Sequence, residues 1–556
     1  LKWFEDFRST NKFESLEERP IAYFCAEYAL DQKIKTYSGG LGILAGDLIR
    51  EVSDRQIPMV GIGLYYHHGY ICGTKNVGGE IVEVCEMTPP ETVGLEPVND
   101  KDGNRIIIKV PIQDREVLVQ AWKWQSDGVP VYLMDSNVSG NNSADCIITH
   151  RLYIAEKEIR LKQEIILGIG GLRLLEALDI HPSVYHLNEG HSAMLTLELV
   201  RHEMEERKLG FDEAKQFAKR RVVFTNHTLI PAGNEVYSND LVALLLAKYA
   251  AGFGVPVSKL IDLGLVQQSS TFSMTMLSLR MAGIINGVSK LHVKKAKDIW
   301  ADHPMVAVTN GVHVPTWDQV KEDSSEKGSI WSIHQKNKSK LLRYLKDKTG
   351  RQWGENDLLL GWARRIVEYK RPLAVLQDIE GFKKVARNAR QPVRIIFAGQ
   401  PHPSDEEGIR MVSVIRELSN NDLGDIVVYL PDYDMELAKL LVSGCDVWLN
   451  TPVVGFEASG TSGMKAALNG VLQCTTKDGW VDEADMQNAG WIIDSEKISA
   501  DFLKALEKDI IPLYSNRDSS DVPESWEDHM RAARSMALNQ FSATRMLREY
   551  LEMLYF

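Results

Sequence analysis

Cysteine is scarce in this chain, with six in 556 residues. They stand at positions 25, 72, 85, 146, 445 and 474 with no CxxC pair, mostly inside apolar runs. Buried free thiols in a reducing compartment are therefore expected. No apolar run reaches the roughly 18 residues of a membrane-spanning helix. The opening Leu-Lys-Trp-Phe-Glu-Asp-Phe-Arg also lacks the layout of a signal peptide, so a cytoplasmic protein with no membrane partner is expected. Positive charge is in deficit: 64 Lys and Arg stand against 76 Asp and Glu, a net charge of −12. That argues against nucleic acid or an anionic membrane as the main partner and leaves room for a local basic pocket. Internal repeats and low-complexity tracts are missing as well.

What is present is an ordinary globular composition, 44% hydrophobic and 25% charged, over a length that calls for two or more domains. Short apolar runs ending in Gly, Asn, His or Asp alternate with helix-periodic segments, the rhythm of α/β units around parallel sheets. The runs fall in two series. The first comprises 21–24, 59–62, 131–134, 184–187, 222–224 and 305–308; the second comprises 358–361, 393–397, 426–429, 447–449 and 471–474. Two sheets are expected. Residues 105–110 and 116–121 alternate around a short polar turn and predict an antiparallel hairpin. A boundary is placed near 310–317, before the polar and exposed-looking stretch 321–338, and residues 541–554 predict a terminal helix.

Ligands of α/β sheets bind beyond the carboxyl ends of strands, so the residues ending each run carry the chemistry. Glu457-Ala-Ser459-Gly460-Thr461-Ser462-Gly-Met-Lys465 follows an apolar run and leads into a helix-compatible segment. Such a turn can cradle an anion, and Lys465 then reads either as a charge clamp or, if desolvated, as an amine nucleophile. It also reads as a plain capped helix after a core strand. Arg364-Arg365-Ile-Val-Glu-Tyr369-Lys370-Arg371 places four cations after a buried-looking strand in an acidic chain, which favours an anion site over a solvated basic face. Tyr37-Ser-Gly39-Gly40-Leu-Gly is a glycine-rich turn. Asn188-Glu189-Gly-His191 and Thr225-Asn-His227-Thr end successive runs and suit a polar, sugar-like ligand. An enzyme joining or splitting sugars at phosphate fits best, and no nucleotide fingerprint is needed to explain the pattern.

In this order the motifs resemble the α-glucan (glycogen, starch and maltodextrin) phosphorylases, most closely their short bacterial and archaeal type. The most specific match is residues 457–470, where the long enzymes have Gly-Asn in place of Ser462-Gly463. Ser38-Gly-Gly-Leu-Gly42, Thr225-Asn-His-Thr228, Asn310-Gly311 with Trp317, and Arg365-Ile-Val-Glu-Tyr-Lys370 add to it, from about residue 21 to the last helix. The resemblance implies the GT-B fold, two Rossmann-like domains with the active site in the cleft between them. The expected division is 1–312, 313–530 and a helix 531–556 crossing back to the first domain.

It further implies pyridoxal 5′-phosphate, held as a Schiff base by Lys465, whose phosphate rather than ring exchanges a proton with the substrate. Arg364, Thr461 and Ser462 would hold the cofactor phosphate, and Tyr433, Asn450 and Trp317 would line its ring. Arg365, Lys370 and the backbone of Gly40, next to Gly39, would bind inorganic phosphate. His227, Asn310, Tyr369, Glu457, Ser459 and Gly460 would hold the transferred glucosyl unit, with Glu189 and His191 as further substrate-binding positions. The main chain at His227 would face the developing positive charge. Lys465, Arg365, Lys370 and His227 make up the expected catalytic set, and no metal is expected. The implied reaction is phosphorolysis of glycogen, starch or maltodextrin by inorganic phosphate to α-glucose 1-phosphate with retention, without the carboxylate pair of a hydrolase. A homodimer is the family expectation.

Some positions depart from the family pattern. Gln400-Pro401 replaces Lys-Ala, and Asp434 stands where long enzymes carry Arg. Glu189-Gly-His191 replaces Asp-Thr-His, and Ala155-Glu-Lys157 stands where short relatives tend to have Gly-Gly-Asp. Two other readings are weighed: a synthase-like transferase using a sugar nucleotide, and a silent glucan-binding protein. The first gives no reason for Gly-Met-Lys465, and silence would begin with loss of Lys465, Arg365 or Lys370.

Overall fold

Apolar runs with no polar alternation form strands covered on both faces, as parallel sheets require. The strands Met59–Leu64 and Leu358–Ala363 are buried at every position. A computed structural model describes residues 2–70, 73–77, 80–126, 128–229, 234–266, 269–321, 329–403, 405–519 and 521–556. The chain divides into two compact units. One comprises Leu1–Val288, Val293–Val308 and Leu547–Phe556; the other comprises Ser289–His292 and Thr309–Met546.

The first unit is built on a ten-stranded sheet. Its parallel strands run, across the sheet, Val306–Ala307, Ile284–Gly287, Val222–Asn226, Val184–Asn188, Ile21–Phe24, Met59–Leu64 and Val129–Asp135. The antiparallel strands Arg115–Ser126, Ile108–Ile112 and Glu96–Pro97 extend it. Ile21 lies opposite both Met59 and Val184, so chain order reverses between Ile21–Phe24 and Val184–Asn188. A helical run from Lys157 to Ala177 covers the sheet and bulges at Ile166–Gly170. Its approach requires glycine: a Cβ at Gly168 would lie 2.3 Å from the Leu195 amide, and one at Gly171 would lie 2.4 Å from the Phe24 ring. The last residues belong to this core. Tyr555 Oη meets His186 Nδ1 at 2.7 Å, and Phe556 packs on Phe7.

The second unit holds a six-stranded, wholly parallel sheet in the order Val427–Leu430, Val393–Ala398, Leu358–Ala363, Val447–Asn450, Leu472–Thr475, Gly490–Ile492. Numbered along the chain this is 3-2-1-4-5-6, the doubly wound order of dinucleotide-binding sheets, with its switch point between the first and fourth strands. One buried ion cluster supports the first strand. Lys338 Nζ meets Asp446 Oδ2 at 2.6 Å and Tyr514 Oη at 2.8 Å, while Asp446 Oδ2 also accepts the Leu359 amide.

The α/β class and the two parallel sheets match the sequence reading. The expected hairpin is present with its turn shifted to residues 113–114, and a further strand, Gly490–Ile492, closes the second sheet. The stretch expected to be exposed is partly otherwise: from Ile330 it is the helix Ile330–Thr349, in which Lys338 is fully buried. Residues 322–328 lie outside the described residues. Cys25, Cys445 and Cys474 are free and buried, and Cys146 is free and half-buried. Cys85 is disulfide-bonded, against expectation, and Cys72 lies outside the described residues.

Candidate active site

Several expected site residues meet at the switch point of the second sheet. Arg364 follows the first strand and Asn450 ends the fourth, and the Arg364 guanidinium donates to Asn450 Oδ1, to the Leu449 carbonyl at 3.2 Å and to Ser462 Oγ at 3.2 Å. Its buried Nε has no hydrogen-bond partner among the described residues. Burial lowers the pKa of this guanidinium from its usual value, against the pull of Glu457 and Tyr433. A buried cation with an unused donor is costly unless an anion completes it.

Ser462 opens the helix Ser462–Leu468, with Thr461 at its N-cap, and also accepts from Trp448 Nε1 at 3.3 Å. Three residues on, Lys465 is 6% exposed, with Nζ 4.0 Å from the ring centroid of the buried Trp317. Asn469 fixes that pairing. Its Nδ2 donates to the carbonyls of Lys465 (2.8 Å) and Trp317 (2.9 Å), and its Oδ1 accepts the Gln319 amide (2.7 Å). Tyr433 is half-buried against the core beside the first strand. Asp434 caps the helix Met435–Gly444 by accepting the Leu437 amide, which accounts for an acid there.

After Arg364 the chain turns through Arg365, which is exposed, to the short helical turn Glu368–Lys370. Lys370 Nζ lies 3.2 Å from Glu457 Oε2 and 5.5 Å from the Tyr369 ring centroid. Burial lowers the Lys370 pKa, opposed by Glu457 and reinforced by Arg364 and Arg365. Burial alone would raise Glu457, but Lys370, Arg364 and Arg365 outweigh it and hold the carboxyl low. Three cations thus share one carboxylate, an electrostatic environment suited to a further anion. Arg371 is engaged elsewhere, its guanidinium donating to the carbonyls of Thr451 (2.9 Å), Pro452 (2.6 Å) and Ser495 (3.0 Å). It pins the cationic turn to the segment leading to Glu457. Ser459 is buried and Gly460 takes φ +77°. Asn310 is buried, and its Oδ1 lacks a partner among the described residues.

In the first unit the switch point lies between Ile21–Phe24 and Val184–Asn188. Glu189, just past the second of these, has φ +70° and ψ 169°, a conformation almost confined to glycine. Its carboxylate accepts the Gly190 amide (3.0 Å) and the His227 amide (2.9 Å), and burial lifts its pKa to about 7. His227 Nε2 meets Asn188 Oδ1 at 2.6 Å. His191 is buried with Nδ1 unpartnered among the described residues, and burial, followed by Arg160, lowers its pKa to about 3. Gly39 caps the helix Gly40–Asp54, and a Cβ at Gly39 or Gly40 would meet nothing within 4 Å, so these glycines border open space. Glu27 holds the turn: its Oε2 accepts the Ser38 amide (2.7 Å) and the Gly39 amide (3.2 Å), and its Oε1 accepts Tyr153 Oη (2.5 Å).

A family model described as carbohydrate phosphorylase matches residues 155–317 and 307–487. The chain belongs to the carbohydrate phosphorylase family. It is 36% identical to a maltodextrin phosphorylase of Thermococcus litoralis over 97% of this chain and 70% of that protein. It is 31% identical to a glycogen phosphorylase of Aquifex aeolicus over 98% of this chain and 87% of that protein. An uncharacterized protein of Methanocaldococcus jannaschii is 31% identical over 97% of this chain and its own full length. The two Rossmann-like units of this phosphorylase-family chain agree with the GT-B class. Among the described residues, no helix is long and apolar enough to cross a membrane.

Within each unit, expected site residues meet in sets: Arg364 with Asn450 and Ser462, Lys465 with Trp317, Lys370 with Tyr369 and Glu457, and Glu189 with His227. Glu27, Arg371, Asn469 and Asp478 went unassigned in the sequence reading. Glu27 lies three residues beyond the first strand, and Asp478, before a glycine, lies three beyond Leu472–Thr475. A wider search of strand ends would have reached both.

Proposed function

We propose that this chain is an α-1,4-glucan phosphorylase, cleaving the non-reducing-end glucosyl unit of glycogen, starch or maltodextrin with inorganic phosphate to release α-glucose 1-phosphate, configuration retained. The observation that carries this reading is the gathering of Arg364, Arg365 and Lys370 around the single carboxylate of Glu457 at a switch point, in a chain of net charge −12. Such a site favours phosphate, and Arg suits it through paired donors.

The residues present also fit pyridoxal 5′-phosphate. Arg364 has an unused buried donor beside Ser462 Oγ, matching a phosphate ester. Lys465 offers a buried amine against the indole of Trp317, matching an aromatic aldehyde. Arg364, Ser462 and Thr461 would hold the cofactor phosphate, with Trp317, Asn450 and Tyr433 along its ring and Lys465 as its attachment. When bound, the cofactor supplies a phosphate group that exchanges a proton with the substrate phosphate.

The chain's own groups do the rest. Arg365 and Lys370 bind the attacking phosphate; in the first unit the backbone of Gly40 is the proposed phosphate contact, since Glu27 already holds the Gly39 amide. Glu457, kept ionised by its cationic neighbours, accepts from glucosyl hydroxyls beside Tyr369, Ser459 and Gly460, and Asn310 Oδ1 is available as a further acceptor. Glu189 and Asn188 fix the main chain and ring of His227, whose main chain would face the developing positive charge. Preorganised electrostatics of this kind carries most of the barrier reduction.

The test is borohydride reduction of the purified protein followed by peptide mapping, with Lys465→Ala beside it. The expected outcome is a pyridoxyl group fixed at Lys465, cofactor absorbance missing from the variant, and phosphate-dependent release of glucose 1-phosphate from maltodextrin by the wild type alone. Glucose transfer from a sugar nucleotide by cofactor-free protein would overturn the reading.

A further inference from the structure

We propose that Asp478 is a positioning residue for glucosyl recognition, acting through the main chain of Glu457; the inference rests on the phosphorylase reading. Glu457 lies in a segment, 451–461, with neither helix nor strand to set its place. The turns around it use Gly455 at φ +91° and Gly460 at φ +77°. What fixes it instead is a fully buried carboxylate from the next strand end. Asp478 Oδ2 accepts the Glu457 amide at 2.9 Å, while Oδ1 accepts the amides of Gly455 (2.9 Å) and Gly479 (2.8 Å). The neighbours of Asp478 continue the grip. The Trp480 amide donates to the Ser459 carbonyl at 3.1 Å, and Thr476 Oγ1 donates to the Pro452 carbonyl at 3.0 Å. Gly479 takes φ +56°, and a Cβ there would lie 2.3 Å from that Ser459 carbonyl oxygen, so the close approach demands glycine. Held this way at its amide, Glu457 extends its carboxylate to 3.2 Å from Lys370 Nζ.

The division of labour between the two oxygens makes Asp478→Asn a selective probe. With its oxygen in the Oδ1 place the asparagine keeps Gly455 and Gly479, and its amide then faces the Glu457 N–H donor to donor. The expected result is a fall of about tenfold in kcat/KM for maltodextrin, the size of one lost buried hydrogen bond. Because Asp478 acts through Glu457, the same change in a Glu457→Gln background is expected to cost less than about twofold. Equal falls in both backgrounds would mean a general structural role and overturn the proposal, as would an unimpaired single variant. Asp478→Ser, which keeps one acceptor in less volume, serves the same cycle if the asparagine variant does not fold. A wild type with no phosphate-dependent release of glucose 1-phosphate removes the phosphorylase reading and this inference together, whereas an active wild type with an additive cycle removes the inference alone.

Discussion

Asn469 offers the sharpest test of how the lysine site is held. Its side chain is 1% exposed and satisfies three buried main-chain groups: the carbonyls of Lys465 and Trp317 through Nδ2 and the Gln319 amide through Oδ1. Asn469→Ala leaves all three without that partner. At about 1–3 kcal/mol for each stranded buried group, reduced by partial relaxation, the loss comes to about 3–5 kcal/mol. For a unit of this size that corresponds to a fall of roughly 10 °C in thermal midpoint. Asn469→Asp separates hydrogen bonding from space filling. The acid has nearly the volume of the amide, yet it presents oxygen to two carbonyl oxygens and keeps only the Gln319 contact. It is therefore expected to be at least as damaging as alanine. The assay is thermal unfolding of the three proteins at equal concentration, with absorbance of the proposed pyridoxal cofactor as a second readout. An aspartate variant melting within about 2 °C of wild type would refute the reasoning, since it would show that Asn469 only fills space.

Two further expectations concern the first unit. His186 lies between Tyr555 Oη and Thr225 Oγ1, and burial lowers its pKa to about 3. The unfolded chain takes up that proton near pH 6.5 and the folded chain does not, so stability is lost as pH falls from 6.5, by about 1.4 kcal/mol per unit. Between pH 6.5 and 4.5 the wild type is expected to lose about 2 kcal/mol more than His186→Gln; parallel stability curves would exclude this. Glu27→Ala removes the acceptor of the Ser38 and Gly39 amides and should raise KM for phosphate about tenfold, whereas Glu27→Gln, keeping one oxygen, should raise it less. Equal effects in steady-state kinetics would show that the charge of Glu27, and not its hold on the turn, matters.

How much of this was legible beforehand follows from the range of the signals. Uninterrupted apolar runs marked the parallel strands because burial on both faces leaves no alternation to confuse them, and their polar ends led to Arg364 and Lys465, whereas Asn450 was reached only through the family resemblance. Gly490–Ile492 escaped because a three-residue edge strand carries almost no periodic signal. Lys338 was misread for a deeper reason. A lysine in a polar stretch is ordinarily solvated, and its burial at 0% exposure is explained by Asp446 and Tyr514, each more than a hundred positions away.

The same limit applies at the site. The residues proposed to touch substrate cluster in short motifs, because one turn must present several groups at once, and so they stand out on reading along the chain. Residues that hold those turns come from other strand ends and meet them only after folding. Glu27 supports Ser38 and Gly39 from 11 and 12 positions away, Asp478 supports Glu457 from 21, and Arg371 reaches Thr451 from 80. Each presents an acceptor or donor to main-chain groups, which any residue type supplies, so the partner sequence bears no mark of the contact. A glycine can betray the contact indirectly. Gly479 is required by the approach of the Ser459 carbonyl, and the Asp-Gly pair after a strand is therefore the one local trace of a constraint whose purpose lies at Glu457.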